Sequence, residues 1–180
     1  MKKIQVNYFF ILVASLLITG CKKNVVISEK QTMLFQVDYM NYAWGYQHTG
    51  FIIDNEGNVR TYKNPQNWIF PDKNFNLNES QVLENFKSCL NSSKKVPVAE
   101  LKKYAGYIKN ISLSQVTALK NVSADAGTIL YICYQFSENS RTYKGHLIKE
   151  EGDFTCENLN FFSKRVTTWL KNINDTISKK

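Results

Sequence analysis

The chain contains two histidines, and each has a group within reach that would give it chemistry. Asp38 would orient the His48 imidazole and let it act as a general base, provided the strands that carry them abut. Cys133 and His146 would be a thiol nucleophile and its base, because opposed strands put them on a diagonal within side-chain reach. A diagonal pair on a strand surface is common without function, and neither pair comes with a third member or an oxyanion donor. Gly50 and Gly57 do not have the spacing of a phosphate cradle. No cluster of His, Cys or carboxylate residues has zinc-like or calcium-loop spacing. The sequence therefore assigns no catalytic residue, no metal and no cofactor, and Asp38 with His48 stands as the one enzymatic alternative.

The densest concentration of recognition residues surrounds His48. Nine aromatics lie between positions 39 and 75: Tyr39, Tyr42, Trp44, Tyr46, Phe51, Tyr62, Trp68, Phe70 and Phe75. Exposed rings beside polar groups stack on sugars or anchor a protein partner, whereas buried ones serve the core. The candidate binding surface is Tyr42, Trp44, Tyr46, His48, Tyr62 and Trp68. Hydrophobic packing competes for the same residues, since aromatics dominate core energetics.

The elements that must position these residues follow from periodicity. Residues 32–40 alternate as a strand with Met33, Phe35, Val37 and Tyr39 on one face and Asp38 on the other, with Leu34, Gln36 and Met40. A hairpin follows, closed by Asn55-Glu56-Gly57, where Gly57 supplies a positive φ. That register sets Ile53 opposite Val59 and Phe51 opposite Thr61 on a buried face. His48, Gly50 and Ile52 then share the other face with Arg60 and Tyr62. Residues 63–77, with Pro65 and Pro71 among asparagines, read as a long packed or functional loop.

Asn78 is a helix N-cap with Gln81 at the capping-box position, followed by a stripe of Val82, Leu83, Phe86, Cys89 and Leu90 that ends in Asn91-Ser92-Ser93-Lys94-Lys95. A second helix opens near Pro97 and carries Val98, Leu101, Tyr104, Ala105 and Ile108. A short strand over 113–121 is left open. Residues 128–136 and 141–149 form a second hairpin. If Phe136 faces Arg141, then Leu130, Ile132, Tyr134 and Phe136 share a face with Tyr143 and Leu147, and Tyr131 and Cys133 share the other with Lys144 and His146. A last helix from about Asn160 turns Phe161, Phe162, Val166, Trp169, Leu170 and Ile173 inward, with a Lys-rich end that complements its dipole. The predicted fold class is α+β: an antiparallel sheet built from two hairpins plus an N-terminal strand, packed with about three helices.

The amino end has the parts of an export signal: Lys2 and Lys3, an apolar run over 8–18, and the shoulder Thr19-Gly20. Gln5, Asn7, Gly20 and Lys22-Lys23 leave it shorter than the roughly 20 apolar residues of a spanning helix. The stretch Leu17-Ile18-Thr19-Gly20-Cys21 resembles the lipobox of bacterial lipoproteins. That resemblance implies cleavage after Gly20 and a diacylglycerol on the Cys21 thiol, and two or more acyl chains hold a protein stably on a membrane. Lys22-Lys23 matches neither the Asp that favours inner-membrane retention nor an acidic surface-export run. The resemblance thus implies the cell envelope, on the periplasmic face of the outer membrane. A second resemblance covers roughly residues 32–70 and rests on Ala43-Trp44-Gly45-Tyr46-Gln47-His48. That order is similar to a segment of small envelope lipoproteins with no assigned activity, and it brings no catalytic residue with it.

The expected organisation is then a signal peptide over 1–20, a tether over 21–30 and a single α+β domain over 31–180. Without Lys2 and Lys3 the 23 basic residues fall to 21 against 15 acidic ones, a net charge of +6. Such an excess favours anionic lipids or glycans, but apart from short pairs such as Lys102-Lys103 the cations are scattered. The compartment and the lack of any recognition motif argue against nucleic acid. In an oxidising compartment Cys89, Cys133 and Cys156 allow at most one bridge. Cys133 with Cys156 is the preferred pair, and three free thiols are equally admissible. The expected partners are the membrane, through Cys21, and an envelope protein or glycan bound by a non-enzymatic module. The alternatives are a small envelope hydrolase using His48 and Asp38, or an inhibitor or immunity protein directed at a wall-degrading enzyme.

Overall fold

A computed structural model describes residues 25–178. The leader over 1–20, Cys21 and the final lysines lie outside the described residues. The first strand, β1 (Met33–Asn41), pairs with β2 (Gln47–Asp54), which pairs with β3 (Asn58–Lys63). The turn between β2 and β3 is held by Asp54, whose Oδ1 accepts from the backbone N–H of Glu56 and of Asn58 at 3.0 and 2.8 Å. Gly57 has φ +84°, as the turn demands, and a Cβ there would come within 2.5 Å of Val96 O. The expected register holds: Ile53 faces Val59 and Phe51 faces Thr61.

The other edge of β1 takes β7 (Thr128–Ser137), which pairs with β8 (Thr142–Gly152). The four-residue loop of this hairpin is shifted one residue along the chain, to 138–141, so that Phe136 faces Tyr143 rather than Arg141. A slip of two residues leaves the side chains from Ile132 to Leu147 on their predicted faces, whereas a slip of one would reverse them; beyond Ile148 the register shifts by one, and Lys149 faces Tyr131. The short strands β4 (Asn76–Asn78), β5 (Leu90–Lys95), β6 (Lys120–Asn121) and β9 (Phe154–Glu157) complete nine strands in the order β5-β3-β2-β1-β7-β8-β9-β6, with β4 also on β8. All the ladders are antiparallel.

Both faces of the central strands are covered. One carries Phe35, Val37, Phe51, Ile53, Tyr131 and Cys133 under α2 (Val98–Ala105), the five-residue α3 (Ile108–Ser112) and α4 (Ser163–Ser178). The other carries Ile52, Tyr62, Ile132, Tyr134 and Tyr143 under residues 68–77 and α1 (Glu79–Lys87). Each large apolar side chain so buried contributes about 1.5–3 kcal/mol. The fold is α+β, as predicted, with three helices of eight residues or more among the described residues. The capping box of α1 forms as its sequence implies, with Asn78 Oδ1 accepting from Gln81 N and Gln81 Oε1 accepting from Asn78 N.

Several expectations are corrected. Met33 lies on the face opposite Phe35, because a bulge at Leu34 shifts the register between them. Such an insertion turns the preceding residues over. Residues 91–95 do not merely end a helix: with Leu90 they form an exposed edge strand on β3, and Leu83 and Leu90 are exposed. The last helix begins at Ser163, after Asn160 Oδ1 has accepted from Phe162 N, which leaves Phe161 outside. Within the expected tether, Ile27 packs on the core and the Asn55 side-chain amide donates to Glu29 O at 2.9 Å, so that these residues belong with the domain.

Candidate functional site

The sheet brings Asp38 and His48 together. Asp38 pairs with Gly50 and Met40 with His48, so the carboxylate and the imidazole meet on the diagonal, with His48 Nε2 2.7 Å from Asp38 Oδ1. Tyr62 reaches in from β3, its hydroxyl 2.5 Å from the same carboxylate oxygen and 3.1 Å from Val37 O. Gln36 Nε2 donates to that hydroxyl, and Tyr134 OH donates to Gln36 Oε1 at 2.8 Å. Burial, and then the Asp38 charge, push the phenols of Tyr62 and Tyr134 upward, so both remain protonated donors.

The imidazole is enclosed by rings, with centroids of Phe70 at 5.1 Å, Tyr62 at 5.2 Å, Trp68 at 5.4 Å and Tyr46 at 6.2 Å. His48 is 0% exposed, and among the described residues its Nδ1 has no hydrogen-bond partner, nor has the indole N–H of Trp68. The pair has the distance of a base and its orienter. Asp38 is also engaged by Tyr62, however, and no surface of His48 is open to a substrate. In this arrangement the network braces the sheet.

The exposed chemistry lies next to it. The connection between β1 and β2, residues 42–46, turns its rings to solvent: Tyr42 is 68% exposed, Trp44 78% and Tyr46 46%. Its base is rooted at both ends. Asn41 Oδ1 accepts from Ala43 N at 2.8 Å and Asn41 Nδ2 donates to Asp125 O, while Asn64 Oδ1 accepts from His48 N at 2.8 Å. The rings of Tyr42 and Tyr46 are 5.5 Å apart and tilted by 45°. Tyr46 also borders His48, so the tip and the buried network are contiguous.

The six predicted binding residues thus divide. Tyr42, Trp44 and Tyr46 are exposed; His48 and Tyr62 are buried and Trp68 is half-buried. Sequence reasoning missed Phe70, an exposed ring against His48, and the buried partners Gln36 and Tyr134. The alternation that places Gln36 beside Asp38 was the signal available for the first of these buried partners.

The second histidine pair does not assemble for chemistry. Cys133 lies directly opposite His146, but its Sγ faces His146 O at 3.7 Å, while His146 Nε2 is 3.0 Å from Gln135 Oε1. Burial pushes the Cys133 thiol far up, the reverse of what a nucleophile requires. The Cys89, Cys133 and Cys156 thiols are unbridged, so the preferred Cys133–Cys156 disulfide is absent. Among the described residues no three His, Cys, Asp or Glu side chains converge as metal ligands do. No protein-family model, curated protein or solved structure matches the chain.

Proposed function

We propose that the protein is a non-enzymatic binding module of the cell envelope, anchored by lipid on Cys21 at the periplasmic face of the outer membrane, and that the aromatic tip is its contact surface. The observation that carries this reading is the exposure of Tyr42, Trp44 and Tyr46 on a connection tied down at its base. Exposed aromatics on a rigid support are the usual anchors of an interface. Because these rings are tilted and Trp44 protrudes, a partner protein with a pocket suits them better than a flat sugar ring. An inhibitor of a wall-degrading enzyme is one form that such a module takes. The hydrolase alternative finds its Asp38–His48 pair assembled but enclosed.

Position supports the same reading. Val25, four residues after Cys21, lines one pocket with Leu34 near the Met33 end of β1, and the tip lies at the Asn41 end. Eight strand steps of about 3.3 Å separate the two by roughly 26 Å. A domain held at its amino end would therefore present the tip away from the membrane.

The test places a photo-reactive amino acid at position 44 of the full chain in the cells that make it, with a second at Lys94 as control. One protein or glycan cross-linked from position 44, and lost in Tyr42→Ala/Tyr46→Ala, would support the reading. The same products from both positions, or lipid alone from position 44, would overturn it.

A further inference from the structure

We infer that the groove between α2 and α4 seats anionic phospholipid headgroups, so that the domain rests on the membrane with the aromatic tip outward. This inference rests on the anchor proposed at Cys21.

The groove encloses about 610 Å³ and is lined by Lys103, Tyr104, Phe161, Lys164, Arg165, Thr168, Trp169 and Asn172. Three cations line it and no carboxylate does. The nearest carboxylate on α2, Glu100, accepts the indole N–H of Trp169 at 2.6 Å. Among the described residues none of the three cations is in an ion pair. Two lie over rings instead: Arg165 is 5.0 Å from the Phe161 centroid and Lys103 is 5.2 Å from that of Tyr104. Cations left unpaired around an aromatic floor form a site for negative charge.

The surroundings favour a lipid surface as the source of that charge. Phe161 is 74% exposed, and Leu113 and Leu159 are exposed near it, around an Asn160 side chain that donates to Asn110 O and to Ser114 Oγ. Exposed apolar side chains beside Lys and Arg have the composition of an interfacial membrane surface. Val25, the first of the described residues, lies on this side. A methyl built on Gly106 would come within 2.9 Å of Val25 Cγ2, and the next residue, Tyr107, stacks on Phe162 at 4.2 Å. From Val25 to Cys21 is four residues, which reach at most about 14 Å. A lipid on Cys21 would therefore hold this face close to the headgroups.

The experiment uses the full chain carrying Cys21→Ser, which cannot be lipidated there, and measures binding to phosphatidylcholine vesicles with and without about one third phosphatidylglycerol. The preference for anionic vesicles should fall on the order of a hundredfold in Lys103→Gln/Lys164→Gln/Arg165→Gln, and further in Lys103→Glu/Lys164→Glu/Arg165→Glu. It should be little changed by reversing Lys63, Lys73 and Lys94. The leader is common to all these chains, so their comparison isolates the groove, and circular dichroism verifies that each variant folds. An equal loss from the remote triple, no loss from the groove triple, or groove-dependent binding of a soluble polyanionic glycan without vesicle preference would overturn the inference. Mass spectrometry of the cell-made protein tests the anchor separately. An unmodified Cys21 would remove the anchor while the vesicle ratio still decides the groove.

Discussion

The phenolic oxygen of Tyr62 lies 2.5 Å from where a Cβ on Gly50 would sit, and Val37 O is closer still. The missing side chain at Gly50 is thus the space through which Tyr62 reaches Asp38 across two strands. Gly50→Ala should displace the phenol, break its bond to the carboxylate and lower stability by about 1–3 kcal/mol or more. Urea denaturation followed by tryptophan fluorescence measures this. A loss below about 0.5 kcal/mol, the range of an ordinary surface change, would mean that Tyr62 does not need that space.

Asp38 is the acceptor that both His48 and Tyr62 use. Asp38→Ala leaves a ring nitrogen and a phenol buried without their shared partner, and each buried polar group so stranded costs about 1–3 kcal/mol. Double-mutant analysis with Tyr62→Phe should show strong coupling, since the two act on one oxygen. Additive losses would contradict a shared network.

Trp68 and Trp44 should respond in opposite ways to truncation. Trp68 packs with its ring centroid 4.1 Å from that of Tyr62 and tilted by 34°, and its buried N–H has no partner among the described residues. Trp68→Phe keeps a ring while removing the orphaned donor, so it should be neutral or slightly stabilising. Trp68→Ala should cost about 3 kcal/mol. Trp44→Ala should change stability by less than about 0.5 kcal/mol and, if the tip is the contact surface, abolish co-purification of the partner identified from position 44. A large stability loss at Trp44 would place it in the core instead.

The hairpin carrying this site was legible because a three-residue turn with Gly57 fixes register, and register fixes faces. Ile53 against Val59, and His48 with Tyr62, followed from that alone. The second hairpin tolerated an error because the slip was even. The Leu34 bulge was not legible, since alternation counts residues and a bulge adds one that the count cannot see. Nor was the burial of His48. One apolar face predicts a half-covered sheet, and the second cover comes from residues 68–77 folding back, a tertiary event with no periodic signal. The polar edge strand over residues 90–95 has the composition of a loop, because an edge faces water on most sides. Aromatic composition located the site but did not separate the exposed Tyr42, Trp44 and Tyr46 from the buried Tyr62, since ring chemistry suits both places.

Alkylation should report unfolding and little else. Burial pushes the Cys89 thiol up to about 12 and that of Cys156 up to about 11, and Cys133 still further. At about pH 8 a folded molecule therefore offers almost no thiolate, while an unfolded one has a pKa of about 8.5. Labelling of these three thiols should be slow in buffer and accelerate through the urea transition. Fast native labelling of Cys133 would mean that its β7 site is open.

Stability should fall with acid in two stages, both traced to β8. Burial, and then the neighbouring Lys144 charge, hold the His146 imidazole below its ordinary 6.5. In that window the unfolded state binds the proton more readily, so stability rises with pH. The His146 contribution is complete above 6.5 and is lost as pH falls through the folded value. Burial raises the Glu151 carboxyl, but its bonds to Lys171 and Lys149 outweigh that and hold it below its ordinary 4.5. Its contribution has the same sign: it is complete above 4.5 and is lost as pH falls further. Both groups are partly exposed, so each stage should be modest, no more than about 1 kcal/mol. Urea midpoints measured against pH should show His146→Gln flattening the upper stage and Glu151→Gln the lower one. If His146→Gln flattens the lower stage instead, the acid response does not originate at these two residues.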